Sequence, residues 1–506
     1  MKKLKTLMCR MLLGCAIVCM AAACSSKEDN YLNALPAQST VVLKMNIPQM
    51  IQKSNLLNNA LAQGLLMQVE MGIPAELKDK YAELKKNPAA CGLDIQKPMA
   101  MAVEMKSMDK MQFVATLAVN DADKLNELLK AVAASDNELS LSDAGNGITR
   151  VALKSQPDFQ CAFNSSRLVI ASGTDAQAAV AQTAENSMMA HKDFAEFAEN
   201  QNDYACFVDY GRALQLAASS LPSATLPPTV ALLKDCALFA DVNFDKGKMT
   251  GKVKIYASDE LVAYQKQFFK KPKGRFLRLL PADCYLAISG AGTNLEKQLE
   301  AMGEEWNQQM NEALKSYGLS TDLLTAIDGD VLMGVYANDD AMPIPNMVLA
   351  VECKDRTLFE KTAQLLNVAI APNEKMFEVA GLNYCVVYVD GALIAAPKAL
   401  YEECLSNGSI GKVKNSLKDA PQADVFEMAG MYANFQSIAE STLWKQFGYE
   451  RKIIAAQKAL GQFDKATVQM KALDEVYGEL TFTDSEKNAL EQLINIGMGV
   501  ALGGIR

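Results

Sequence analysis

Two stretches far apart in this chain read alike, and that recurrence restricts the fold more than any other feature. Tyr31-Leu32-Asn33-Ala34-Leu35-Pro36-Ala37 comes back as Phe276-Leu277-Arg278-Leu279-Leu280-Pro281-Ala282. An apolar run follows each: Thr40-Val41-Val42-Leu43 and Tyr285-Leu286-Ala287-Ile288. Three further matches keep the same order. Phe113 to Leu117 with Asp121 resembles Met347 to Val351 with Asp355. Cys161 with Leu168 to Ala171 resembles Cys385 with Ala392 to Ala395, and Cys206 to Tyr210 resembles Met431 to Phe435. Colinear matches of this kind predict a tandem duplication.

The repeated unit has its own grammar. Short apolar strands end on Asn or Asp, whose side chain can accept from the free N–H groups of a helix's first turn. Asn46, Asp121, Asp209 and Asn434 stand at such places. Pro48 suits a first turn, where no donor is needed. Val389-Asp390-Gly391-Ala392 puts Asp-Gly between two apolar strands, a strong hairpin signal. Asn164 to Arg167 holds that place in the first copy. Hairpins mixed with strand-to-helix crossings predict an α+β fold. Two similar tandem domains are expected, each a mixed or mainly antiparallel sheet with helices packed against it. The expected division is a signal peptide at 1–23, a polar tether at 24–30, a first repeat at 31–258 and a second at 275–506. Between the repeats, 259–274 reads as a helix stopped by Lys270-Lys271-Pro272-Lys273-Gly274, a solvated basic linker.

The leader supplies an address. Lys2, Lys3, Lys5 and Arg10 precede a short apolar stretch, Met11 to Ala23, too short to span a bilayer. Three alanines then precede Cys24, which predicts cleavage there and lipidation of the Cys24 thiol. Lys27-Glu28-Asp29 resembles the surface-export signal of Bacteroidota lipoproteins, the alternative being a periplasm-facing anchor. Together the lipobox, the Tyr-Leu-x-x-Leu-Pro-Ala opening and the two-copy layout resemble the Bacteroidota lipoproteins of domain-of-unknown-function 4836. That resemblance implies a location and an architecture, but no activity and no site residues.

Charge narrows the partners. Removing the four basic residues of the leader takes the formal net charge from −9 to −13. An acidic surface without a basic stripe disfavours nucleic acid and anionic membrane surfaces, so membrane attachment is expected through the lipid. Eight cysteines remain after the leader and Cys24: Cys91, Cys161, Cys206, Cys236, Cys284, Cys353, Cys385 and Cys404. Their scatter and apolar surroundings favour isolated buried thiols over one or two bridges.

Chemical motifs are sparse. The one histidine, His191, reads as a surface residue, and a single histidine cannot serve a metal site or a triad repeated in both copies. Ser289 to Leu295 has a strand-to-helix context but lacks the third glycine of a dinucleotide loop. Ser409 to Val413 lacks the leading glycine and closing hydroxyl of a phosphate loop. Asp328-Gly329-Asp330 reads as a turn and Asp339-Asp340 as a loop tip. Trp306 and Trp444, in helix-like stretches read as corresponding parts of the two copies, suggest packing over a sugar platform. The 26 methionines suggest an adaptable core, with a forgiving contact surface as the alternative, and the apolar, glycine-rich C-terminus reads as packing on the second domain or fraying. No catalytic residue, metal or cofactor is expected. The reading is an outer-membrane-anchored lipoprotein that binds or scaffolds at the envelope, with a cleft between the domains as its default site. A solute- or glycan-binding uptake component and a carboxylate-dependent hydrolase are the alternatives.

Overall fold

A computed structural model describes residues 30–107, 110–135, 138–220, 228–291, 295–315, 320–338, 344–447 and 450–501. Cys24, Lys27, Glu28, Asp29, Asp339 and Asp340 lie outside the described residues, as do Gly292, Thr293 and Asn294. All four predicted Asx caps form. Asn46 Oδ1 accepts from Gln49 N at 3.3 Å, Asp121 Oδ1 from Lys124 N at 3.1 Å, Asp209 Oδ1 from Arg212 N at 3.0 Å and Asn434 Oδ1 from Ser437 N at 3.0 Å. Each stops a strand and starts a helix, as the orphan donors of a first turn require.

The strands are β1 Val41–Met45, β2 Met99–Ser107, β3 Lys110–Ala118, β4 Leu139–Asp143, β5 Thr149–Leu153, β6 Phe159–Phe163, β7 Arg167–Ser172, β8 Tyr204–Asp209, β9 Ala237–Asp245 and β10 Lys248–Tyr256. After them come β11 Leu286–Ala291, β12 Ile327–Tyr336, β13 Asn346–Cys353, β14 Met376–Val379, β15 Tyr384–Val389, β16 Ala392–Pro397, β17 Gly430–Asn434, β18 Phe463–Ala472 and β19 Glu475–Phe482. All named pairings are antiparallel, and with the helices they make the fold α+β. The first half runs β4-β5-β6-β7-β3-β2-β1-β8-β9-β10 across the sheet. The second runs β14-β15-β16-β13-β12-β11-β17-β18-β19. Four of the five pairs of matching segments fall at the same place in these two orders, and the fifth folds as a 3-10 turn ahead of β1 and β11. The predicted hairpin forms, with Val389 opposite Ala392 and with Asp390 and Gly391 at φ 50° and 71°. A turn with both central residues at positive φ twists with the strands it joins.

The halves join edge to edge among the described residues. β10 pairs with β19 from Lys248↔Thr481 to Lys254↔Glu475, so one sheet is continuous through both. Gly251 and Gly478 oppose each other at the centre of that seam. The C-terminal helix Ala489–Ala501 packs on the helix Arg451–Leu460 of the second half and on β9, β10 and the helix Ile47–Lys53 of the first. Asn488 Nδ2 donates to Phe244 O at 2.9 Å beside it. The expected packing on the second half is therefore present, and the same helix also reaches across to the first.

One face of the sheet carries two tight cores. The recurrent Leu-Pro segments fold as 3-10 turns, Tyr31–Ala34 and Arg275–Leu279, and seat Leu35 and Leu280 at zero exposure. Pro36 bridges Ser187 and Pro281 bridges Ser416 in the same manner. Around the first gather Val42, Ala102, Phe194, Phe197, Phe207 and Phe239; around the second, Ala287, Leu332, Val348, Ala350 and Tyr432.

The linker, exposed at Lys271 and Lys273, is also tied to the second half. Lys270 pairs with Asp328, Lys273 Nζ lies 3.0 Å from Glu352, and Asp330 accepts from the N–H groups of Lys273 at 2.7 Å and Arg275 at 3.0 Å. Asp328-Gly329-Asp330 is no turn; it is a bulged stretch of β12, with the register shifting between Ile327 and Val331. The bulge turns Asp330, 2 % exposed, onto linker donors that would otherwise go unpaired.

Candidate binding face

Period-2 alternation puts the opposite face of the sheet under different rules. In the second half, cross-strand neighbours align Val468, Met431, Ile288, Met333, Leu349 and Ala395 in a single row. In the first half the same row reads Ala240, Cys206, Leu43, Met101, Ala115 and Ile170. The seam glycines join them, since Val468 opposes Gly478 and Gly478 opposes Gly251. An unbroken apolar band thus crosses both halves, and it stays partly open. Ile288 is 40 % exposed, Met347 41 %, Leu349 45 %, Val468 37 % and Val253 39 %, all on this face. Natural monomers seldom leave aliphatic side chains in a contiguous exposed line without a use for it.

Here the methionines favour the contact-surface alternative over the core. Met45, Met99, Met101, Met333, Met347 and Met431 all point to this face and none is fully buried. Met188 is the one fully buried methionine among the described residues, with Met189 and Met376 packed against the two cores. Flexible, polarizable side chains are suited to a surface that must fit a variable apolar partner. Sequence reading missed the band because Met, Ile and Val on a strand look the same whether they face a core or a groove.

The helical arm after β11, Leu295–Met302 and Glu304–Lys315, packs mainly on itself and its neighbours. Trp306, Met310 and Leu314 are half-buried along one stripe of Glu304–Lys315. Trp444 is half-buried too, with its Nε1–H donated to Ile438 O at 2.7 Å. Both tryptophans belong to the second half, Trp306 after β11 and Trp444 after β17, rather than one to each. An indole tied to a backbone carbonyl is a packing group before it is a sugar platform.

Polar chemistry lies elsewhere. His191, expected at the surface, is half-buried: its ring meets Phe207 edge-on at 5.2 Å and its Nε2 lies 3.5 Å from Asp209 Oδ2. Asp209 also takes Arg212 Nε at 3.2 Å. Burial pushes the Asp209 carboxyl up, but His191 and Arg212 outweigh it and hold it below its ordinary value. Lys44 is fully buried under β1, donating to the carbonyls of Phe197 and Ala198, and burial lowers its ammonium to about 8. Glu196 is held by Lys252, by Lys254 at 2.9 Å and by Tyr256 Oη at 2.5 Å; these outweigh burial and bring it to about 2. Each of these groups is spent on holding an element in place. A polar hollow of about 640 Å³ bordered by Glu403, Lys412, Lys414, Asn415 and Asp419 is likewise internally neutralised, Lys412 pairing with Asp419 at 2.5 Å. All eight cysteines are unpaired, six buried and Cys161 and Cys206 half-buried. Among the described residues, no group of three or more His, Cys, Asp or Glu side chains stands close enough to hold a metal ion, and no helix is long and apolar enough to cross a membrane.

Residues 31–390 match a family described as a domain of unknown function, DUF4836. No curated protein matches the chain. Among solved structures, crystal form IV of TP0453 is 9 % identical over 48 % of this chain and 86 % of that one, with a TM-score of 0.27. Crystal form III of TP0453 gives 9 %, 47 %, 86 % and 0.26. Likenesses of this size carry no argument about the present chain.

Proposed function

The chain belongs to the DUF4836 family, and from that premise we propose a noncatalytic outer-membrane lipoprotein that holds an apolar ligand along its sheet face. The half-open apolar row is the observation that carries the reading. Its six strands span roughly 24 Å at about 4.8 Å per strand step. An acyl chain, which reaches about 15 Å in one leaflet, can lie along it. The face also selects by hydrogen bonding. Backbone donors and acceptors of interior strands are consumed within the sheet, so an extended peptide laid flat there would lose its own bonds to water. A hydrocarbon chain loses none. Covering what remains open of Ile288, Met347, Leu349 and Val468 is worth about 1 kcal/mol per side chain at roughly 25 cal/mol per Å².

Attachment is through lipid on Cys24, with Lys27, Glu28 and Asp29 directing the protein to the cell surface. The recurrent sequence segments and the matching strand orders support an internal duplication, each copy supplying half of the apolar band. A solute- or glycan-binding role in uptake is the competing reading, and sugars would need exposed aromatic platforms.

The test is equilibrium binding of a fluorescent palmitate analogue to the purified mature chain. Saturable binding, weakened at least tenfold by Ile288→Asp or Leu349→Asp in folded protein, is expected. Binding that ignores both changes, or does not saturate, would sink the proposal.

A further inference from the structure

The two ends of the continuous sheet are not finished alike. In the first half, β5 pairs with β6 on one side and with β4 on the other, so β4 caps it. β14 holds the place of β5 in the second half, next to β15, and among the described residues no strand pairs with its outer side. The free backbone groups can be named from the ladder. Tyr388 N donates to Lys375 O at 2.7 Å, which makes Lys375 and Tyr388 a hydrogen-bonded pair. Alternation then turns Phe377 and Val379 inward to β15 and leaves the N–H and C=O of Met376 and Glu378 facing out. Neither N–H has a backbone partner among the described residues.

Side chains at the same end tell the same story. In the first half, Leu139 of β4 is buried with Leu125 and Leu129 of the helix Ala122–Ser135, and Leu141 packs against them. In the second, the corresponding helix Thr357–Leu365 seats Phe359 and Ala363 on Phe377 and Val386, with Val368 and Ile370 of the segment before β14 packed against them and, among the described residues, no further strand added. Leu365 and Leu366 stay exposed at its end, as does Leu382 in the turn leaving β14. The backbone edge that β4 covers on β5 stays uncovered on β14 among the described residues.

We propose that the β14 edge receives an extended segment of another protein, added antiparallel and carrying an apolar residue at every second position. The capped end of this same chain shows the chemistry: β4 reads Leu139-Ser140-Leu141-Ser142, apolar toward the helix and polar outward. Main-chain bonds to Met376 and Glu378 give affinity, and the apolar alternation gives direction and register. A second copy pairing β14 to β14 is disfavoured by size, because four residues a side bury far less than the roughly 1,200 Å² of a stable interface. The short strand and the charged Glu378 guard the edge against indiscriminate pairing. This site is independent of the apolar face proposed above.

The probe is a labelled peptide with the sequence of residues 137–145, titrated against the mature chain by fluorescence anisotropy. Saturable binding is expected, with slowed amide exchange at Met376 and Glu378. Glu378→Pro removes an outward donor that β15 does not use, and should weaken binding at least tenfold. Glu378→Ala, which loses only the carboxylate paired with Lys398 at 2.7 Å, should bind as the native chain does. Met376→Pro provides a second outward position should Glu378→Pro not fold. No saturable binding, equal binding to the folded proline variants, or peptide-independent protection of Met376 and Glu378 in a dimer would each overturn the proposal.

Discussion

Leu280 shows how closely a single residue can be specified. It sits at zero exposure, and a Cβ built on Gly334 would lie 2.3 Å from its Cδ2. Gly334→Ala therefore forces overpacking and should lower stability by about 1–3 kcal/mol, while Leu280→Ala should cost about 2–5 kcal/mol through the cavity left behind. Both are measurable by denaturant unfolding. Glu196 makes the pH case. Its folded value, about 2, lies below its ordinary 4.5, so the native state favours the carboxylate. The stabilisation is full above pH 4.5 and is lost as pH falls through 2. Unfolding midpoints taken from pH 6 to pH 2 should decline in the native chain, and decline less in Glu196→Gln. A flat native profile across that range would contradict the assignment. Sequence made Leu280 legible through its repeated Leu-Pro-Ala setting, whereas Glu196 was invisible, since Lys252, Lys254 and Tyr256 reach it from a strand more than fifty positions away.

Elements divide in the same way. The Asx caps and the Asp-Gly hairpin were readable because their causes are local, an oxygen beside free N–H groups and two residues at positive φ. The linker and the C-terminus were so only in part. Lys270 to Gly274 has the composition of a solvated connector, yet Asp330 captures its N–H groups from a bulge in β12. Asp330→Asn keeps the shape but halves the acceptor capacity and removes the charge. It should lower the thermal midpoint and speed proteolysis between 269 and 275, while a mutant cut no faster than the native chain would count against the staple. The helix Ala489–Ala501 behaves similarly: truncation after Asn488 should expose β9 and β10 and quicken amide exchange there, in the half of the chain remote in sequence.

At the scale of the whole molecule the seam governs. The sheet is one because β10 and β19 both offer edges, and the paired glycines Gly251 and Gly478 leave the apolar face bare at the join. Val253 and Val476 stand one step along it, also directly opposed. Placing a lysine at Val476 on the apolar side should weaken the pairing of the halves and separate a single unfolding transition into two. A single transition with unchanged midpoint would show that the seam contributes little. Surface display belongs to this scale as well: protease shaving of intact cells should cleave the native protein and spare the Lys27, Glu28, Asp29→Ala variant.

The sequence by itself determined the α+β class, the caps, the hairpin, the recurrent Leu-Pro turns and the order in which matching strands follow one another. Those follow from residue type at short range, where sterics and capping act. Tertiary structure alone decided that the halves share one sheet, that the final helix touches both of them, and which side of each strand stays open. Alternation tells that a strand has two faces but not what lies over either, and an aliphatic side chain carries no mark of whether its neighbour will be a core, a groove or water.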